Sequence, residues 1–306
     1  MTVLSNGGQY SLTPSWLKPS LYTSSAFQSV SAAMPPPAAA FKALHEPSSP
    51  VIIPNIWDAS SLRAVLSLNS PSSALVKAVA TASWAVADTL GIKDEELTLE
   101  QNLSRLAELA PIAREAGIPI SVDLQDGYGE RIAEVVKKAA DLGAAGANIE
   151  DARLEAGNDG GVAGALYPLD EQVRRLKEAL AVAPPDFVIN ARCDVFHLEP
   201  PPPDNDGTAM AEAVKRGKAY LEAGATTVFY WGGARGLRTS EVETLVKELG
   251  GRVAVKMRAV VGDMSARELG EAGVARISVG PELYRLGLRA VRDGASRLLA
   301  GGKLAG

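Results

Sequence analysis

From Phe41 onward, short apolar runs of strand length alternate with longer segments whose apolar residues recur at helical spacing. Eight runs have the strand pattern, near residues 51–55, 75–82, 118–124, 145–150, 187–192, 226–231, 252–257 and 275–279. Helical patterns cover 59–68, 97–116, 130–142, 169–183, 208–223, 239–249, 264–272 and 281–300. In the 97–116 segment, Leu99, Leu103, Leu106 and Leu109 fall on one face, Pro111 is expected to bend or split the helix, and Gly117 to stop it. A glycine just ahead of the strand recurs in EAGIPI, DLGAAGA, EAGATTV and EAGVARI, marking helix ends that feed the next strand. Alternation of this kind predicts a (β/α)8 TIM-type barrel over residues 41–306.

Three of the apolar runs end in an acid: Asp58 in VIIPNIWDAS, Asp123 in IPISVDLQDGYG and Glu150 in AAGANIED. An acid at the carboxyl end of a barrel strand points into the mouth where such folds assemble their sites. Three together suit a hard cation such as magnesium, which takes oxygen ligands and needs only one or two direct carboxylates. A single acid at that position is as readily a helix N-cap or a loop salt bridge. Arg192, in FVINARCD, ends its strand in the same way, and its planar fork suits a substrate carboxylate or an enolate oxygen. The structural alternative is a pair with Glu150 or Asp194. Cys193 alternates away from Arg192 and is expected to pack behind the barrel as a small apolar residue. In DGYG, Gly127 and Gly129 bracket Tyr128 and permit a sharp turn and close approach of backbone to ligand. Ala82, Ser83 and Trp84 end the second strand with small residues whose amides can receive an anion.

Composition narrows the partners. A net charge of −5 with scattered Lys and Arg leaves no footprint for nucleic acid. No apolar stretch is long enough to span a membrane. One cysteine and two histidines exclude an internal disulfide framework and argue against a Cys/His zinc site, so the expected setting is reducing and cytoplasmic. The first forty-five residues lack Asp and Glu and are rich in Ser, Ala and Pro, so residues 1–40 are expected to form a flexible arm. A mitochondrial transit peptide shares the lack of acids, but this segment also lacks Arg. The run EPPPPDNDGT after the fifth strand is expected to be a stiff spacer.

Taken together, PNIWDASS, VDLQDGYG, NIED, INARCDVF and RISVGPELYR resemble the isocitrate lyase and phosphoenolpyruvate mutase superfamily from about Phe41 to the last helix. That resemblance implies a (β/α)8 barrel whose last helix is often exchanged between subunits, a homodimer or homotetramer, magnesium, and a 2-oxo acid or its enolate as the reacting species. By the same resemblance Asp123 looks like the acid that touches the metal most directly, with Asp58 and Glu150 reaching it through water. Arg192 looks like the arginine that steadies the enolate oxygen. Ser83 and Trp84 fall where the family binds a substrate carboxylate, with Ala82 in place of a serine. The departures are as informative. Gln125 stands where much of the family has a second aspartate, which lowers the charge available to an ion; Asp126 is the nearby acid able to compensate. The loop DARLEAGNDGGVAGALYP lacks the Lys, Cys, Gly, His run of the lyases, and although Asn158 matches an asparagine of the mutases, Ala156 takes the place of their lysine.

Three readings follow. The first is a magnesium-dependent carbon–carbon lyase or decarboxylase of a 2-oxo or 2-hydroxy carboxylic acid, with Arg192, Tyr128 and Asn158 as catalytic candidates, Tyr128 being the weak proton donor. Ser83, Trp84, Trp57 and Gly127 would bind substrate, and Asp123, Asp58, Glu150 and Gln125 would hold magnesium. Trp57, Trp84 and Trp231 supply enough aromatic surface to suggest an apolar substituent on that substrate. The second is a phosphonomutase or hydrolase, for which a more cationic lid than Arg153 alone is expected. The third is a barrel that binds a ligand without turnover.

Overall fold

The computed structural model describes residues 37–153, 160–198 and 207–304. The barrel lies within the unit Pro35–Gly306. Its strands are β1 (Val51–Ile53), β2 (Asn55–Ile56), β3 (Val79–Thr81), β4 (Ile120–Asp123), β5 (Gly146–Glu150), β6 (Val188–Arg192), β7 (Thr227–Tyr230), β8 (Val253–Lys256) and β9 (Arg276–Ser278). All pair in parallel, in the order β1-β9-β8-β7-β6-β5-β4-β3-β2. Only Pro54 separates β1 from β2, and it has no N–H to offer a ladder. The chain therefore changes partner there, β1 pairing with β9 and β2 with β3. Two short strands thus do the work of one, and the ring closes as the expected eight-fold barrel.

The helices follow their apolar stripes. Ile132–Asp141 buries Ile132, Val135, Val136 and Ala139, at the spacing that turns one helix face to the sheet. Leu99–Glu115 is a single helix, capped by Thr98 and running through Pro111. The expected break does not occur, because Leu103, Leu106, Leu109, Ala110 and Ala113 stay packed on one continuous face. Short helices at Pro37–Ala43, Ser83–Thr89 and Gly161–Ala165 carry too few turns to show a period and escaped the pattern reading.

The main core lies between sheet and helices, and a smaller one fills the barrel's amino-terminal end, where Phe41 meets Val51, Ile53, Ala78, Ala80, Ala145 and Val188. Gly146 makes that plug possible: a Cβ there would stand 2.6 Å from the Val188 carbonyl oxygen and 3.0 Å from the Phe41 ring. One end of the barrel is thus filled with apolar side chains, leaving the carboxyl end for chemistry. Over its 18 residues helix Glu282–Leu299 buries only Tyr284 and exposes Leu286, Leu288, Val291, Leu298 and Leu299. No helix among the described residues is long and apolar enough to cross a membrane. The proline run at 199–206 lies outside the described residues.

Candidate active site

A cavity of about 340 Å³ opens at the carboxyl ends of the strands. Residues at or just past strand ends line it, among them Ser83, Asp123, Arg192, Trp231, Lys256 and Gly280. That volume suits a small metabolite.

Asp123 ends β4 and is held from two sides. Its Oδ2 accepts from the Ser83 N–H and Oγ, each at 3.1 Å, and its Oδ1 from Asn148 Nδ2 at 3.4 Å. Asn148 is its register neighbour on β5 and accepts in turn from Asn190 Nδ2 at 2.6 Å. Ser83 thus grips Asp123 in this structure. Beside it lies an acid that sequence reasoning missed. Asp94 opens the 3-10 turn Asp94–Glu96 and lines the cavity. Burial, and then the charge of Asp123, push its carboxyl up to about 6. Nothing in KDEE distinguishes it from the exposed Glu95 and Glu96; only the fold carries it inward. Gln125 is what ties it down, donating from Nε2 to the Asp94 carbonyl at 2.6 Å and to Oδ1 at 3.1 Å. Gln125 brings no charge itself but fixes the Asp94 carboxyl at the cavity wall.

Arg192 ends β6 opposite Glu150 in register. Its Nη1 lies 2.5 Å from Glu150 Oε2, and its Nε donates to Asp194 Oδ1 at 2.8 Å. Both structural pairings considered for Arg192 exist, and the guanidinium still lines the cavity. Burial works against its charge, but Asp194 and Glu150 more than offset this and hold it firmly protonated. Glu150 is pushed the other way, well above the usual carboxylate range, by burial that Arg192 only partly counters. Behind them, Asp151 accepts from the Asp194 N–H at 2.8 Å, from Arg216 at 3.1 Å and from the Tyr220 hydroxyl at 2.6 Å. This buried network fixes Asp194, which fixes Arg192 and Trp231, the latter through its indole N–H at 2.9 Å. Cys193 points into the outer core as expected, and burial pushes its thiol up.

Several expected site residues lie elsewhere. Asp58 caps helix Ala59–Leu66, accepting from the Ser61 N–H at 2.7 Å in a reciprocal capping box, and does not line the cavity. Tyr128 is also absent from the lining. Asp126 accepts from its N–H at 2.7 Å, which turns the residue to φ 57° and points the hydroxyl at Asn102 Nδ2, 2.9 Å away. Burial holds that hydroxyl well above its usual pKa, so it is a poor proton donor in the wrong place. Gly127 serves the same turn, with the Ile132 side chain against it, and no ligand reaches it from the cavity. Asp126 is engaged by Tyr128 and by the Tyr167 hydroxyl and faces buried Arg175, so it does not compensate for Gln125. Trp57 packs edge-on to Tyr284 behind the rim, while Trp84 and Trp231 line the cavity. Asn158 and Ala156 lie outside the described residues.

Facing the acids, β8 and β9 present cations. Lys256 ends β8, lies 3.4 Å from Glu282, and its Nζ sits 4.5 Å from the Trp231 ring centre. Burial lowers its pKa. Arg276 and Arg285 complete that wall.

Among the described residues no three acidic, His or Cys side chains converge into a complete metal cage. Magnesium needs less than that, keeping several waters beside one or two carboxylates. Asp94 and Asp123 fit this requirement, because two carboxylates sharing one enclosed cavity repel, and a divalent cation relieves the repulsion.

Comparison with known proteins agrees with the barrel. The family model described as phosphoenolpyruvate phosphomutase matches residues 41–299. An uncharacterized protein of Mycobacterium tuberculosis (strain ATCC 25618 / H37Rv) is 28% identical over 263 residues, 83% of this chain and 89% of its own length. The oxaloacetate decarboxylase of Bradyrhizobium diazoefficiens is 29% identical over 182 residues, 58% of this chain and 57% of its own. A crystal structure from Burkholderia cenocepacia J2315, provisionally assigned as a phosphonomutase, superposes with a TM-score of 0.70 at 31% identity, covering 87% of this chain and 98% of that one.

Proposed function

We propose that this chain, which belongs to the phosphoenolpyruvate phosphomutase family, is a magnesium-dependent lyase or decarboxylase that breaks a carbon–carbon bond next to the carbonyl of a 2-oxo or 2-hydroxy carboxylic acid. The observation that carries this reading is a fixed cation beside a metal-fit acid pair: Arg192, braced by Glu150 and Asp194, shares one cavity with Asp94 and Asp123. In a 2-oxo acid the bond that breaks joins the carbon beside the carbonyl to the departing group, carbon dioxide in a decarboxylation. The electron pair left behind is held as an enolate with its charge on the carbonyl oxygen, where preorganised positive charge lowers the barrier. Bound at Asp123 and Asp94, magnesium would supply Lewis-acid polarisation of that oxygen. Arg192 contributes a guanidinium that needs no reorganisation, because its two carboxylate partners already hold it.

The proton that completes the reaction needs a donor. Among the described residues Lys256 is the best placed, an ammonium lining the cavity whose pKa burial lowers, which eases release of its proton. Trp84 and Trp231 wall the cavity and exclude water from the developing charge. The oxaloacetate decarboxylase relative supports the decarboxylase form of the reading. The phosphonomutase-type structural relative favours a second reading, a mutase acting on a phosphoenolpyruvate-like substrate, and the cationic wall of Lys256 and Arg285 suits a phosphoryl group as well. For assembly, the exposed apolar residues of Glu282–Leu299 support a homo-oligomer built through that helix.

Proton and phosphorus NMR of the purified protein with magnesium separates these readings. The panel contains oxaloacetate, alkylated malates and citrates, phosphoenolpyruvate and phosphonopyruvate, each repeated with chelator. Magnesium-dependent release of pyruvate or another oxo acid is the expected result. A phosphorus shift between ester and phosphonate replaces the lyase reading with the mutase, and silence across the panel removes both.

A further inference from the structure

Three buried arginines invite comparison. Arg175 donates to Gln172 and to the carbonyls of Gly129 and Asp126, and Arg216 to Asp151, Glu212, Tyr220 and the Tyr167 carbonyl. Both are structural cations with their donors used. Arg276, on β9, is as deeply buried at 2% exposure, yet it lines the cavity and is bonded only through Nε, to Ser278 Oγ at 3.2 Å. Its Nη1 is buried without a hydrogen-bond partner, its guanidinium carbon stands 5.9 Å from the centre of the Phe41 ring, and among the described residues no carboxylate lies within ion-pair distance of it. The neighbouring cation Lys256 already has Glu282. His45, on the far side, is driven down to about 3 by burial and by Arg276 itself, so it stays neutral and offers no competing charge. A buried guanidinium with an open donor beside a cavity is costly unless something anionic meets it.

We propose that Arg276, with the Ser278 hydroxyl, forms a second anion subsite on the inner wall of the barrel, which takes the carboxylate of the substrate distal to the reacting carbonyl. The planar guanidinium offers parallel N–H groups that match a carboxylate, and Ser278, which accepts from Arg276, keeps its own O–H to donate. The cavity then holds a substrate at both ends, the 2-oxo or 2-hydroxy end at Asp123 and Arg192 and the far carboxylate at Arg276. This rests on the carboxylic-acid reading above.

The test compares malate, which has a distal carboxylate, with oxalate, which is too short to fill both ends. Binding to the wild type, Arg276→Met and Arg276→Lys is followed by tryptophan fluorescence in magnesium. Arg276→Met should weaken malate by on the order of 10- to 100-fold and leave oxalate within about twofold; Arg276→Lys, with the charge but not the fork, should fall between. Crystals soaked in bromide provide a readout that needs no substrate, with an anomalous peak expected at the Arg276 guanidinium in the wild type. Unchanged malate affinity in Arg276→Met overturns the subsite and leaves the lyase reading standing. If neither acid binds the wild type, the lyase reading falls, and bromide decides the subsite: a peak at Arg276 upholds it, and peaks only elsewhere reject it. Should Arg276→Met fail to fold, Arg276→Lys and the bromide peak carry the same decision.

Discussion

The two arcs of the barrel mouth are built on opposite plans. Along β4, β5 and β6, each charged side chain is answered: Asp123 by Ser83 and Asn148, Arg192 by Glu150 and Asp194, and Asp194 by the indole of Trp231. Along β8 and β9, positive charge is in excess, and Arg276 keeps an unused donor. Partnered groups hold their geometry before any ligand arrives, which is what a reacting centre requires. Groups left short of a partner gain one when a ligand binds, which is what a recognition surface requires. The acidic arc reads as the side that stabilises the developing charge, and the cationic arc as the side that receives the ligand at Arg276 and returns the proton at Lys256.

That division can be broken by substitution, and the largest effect is expected at Asp123. Asp123→Ala should abolish magnesium-dependent turnover with the fold intact by circular dichroism; retained turnover would remove the metal from the account. Arg192→Ala comes next. We expect kcat to drop on the order of 10²- to 10³-fold, more than the accompanying loss of stability explains, and unchanged kinetics would make the arginine structural. Asp94→Asn should weaken magnesium on the order of 10-fold, within the range seen when a group supporting a metal site is lost. Its pH dependence has a definite sign. Metal takes the ionised carboxylate, so wild-type affinity should hold above pH 6 and fall as pH drops through about 6. Without metal the sign reverses: the folded state holds this proton more tightly than the unfolded one, so stability is lost as pH rises from about 4 to 6. A titration of magnesium against pH in wild type and Asp94→Asn checks the first, and thermal unfolding of the metal-free proteins between about pH 4 and 6 the second; identical profiles in the two proteins would exclude Asp94. The smallest effect is expected outside both arcs. Asp58→Ala should cost about 1 kcal/mol of stability through the lost cap and leave magnesium affinity unchanged.

The barrel was legible because its eight strand runs and the helices between them obey two simple periods, and glycines mark the junctions. Asp123 and Arg192 were legible because a strand's last residue has a known direction, whereas Glu150, expected by the same rule to hold metal, pairs with Arg192 and does not line the cavity. Asp58 obeyed the same rule and still misled, since the residue after a strand can equally open the next helix, and Ser61 three positions on was the sign of a cap. Asp94 was invisible for the opposite reason. It sits in an irregular turn among other acids, and only the tertiary position of Gln125 draws it into the cavity. Tyr128 illustrates the limit of reading glycine-flanked loops: the turn was foreseen, but its direction is set by the Asp126 side chain and by Asn102 from another helix. Arg276 falls within a strand run whose apolar neighbours gave no hint that its side chain faces the cavity.

The measurement that tests the account most directly is manganese binding by electron paramagnetic resonance, with magnesium as competitor, in the wild type and Asp123→Ala. One manganese per chain, displaced by magnesium, perturbed on addition of oxalate and lost in Asp123→Ala, is the predicted result. A wild type that binds no manganese, or an Asp123→Ala protein that binds it equally well, would contradict the assignment of the acidic arc as the metal centre.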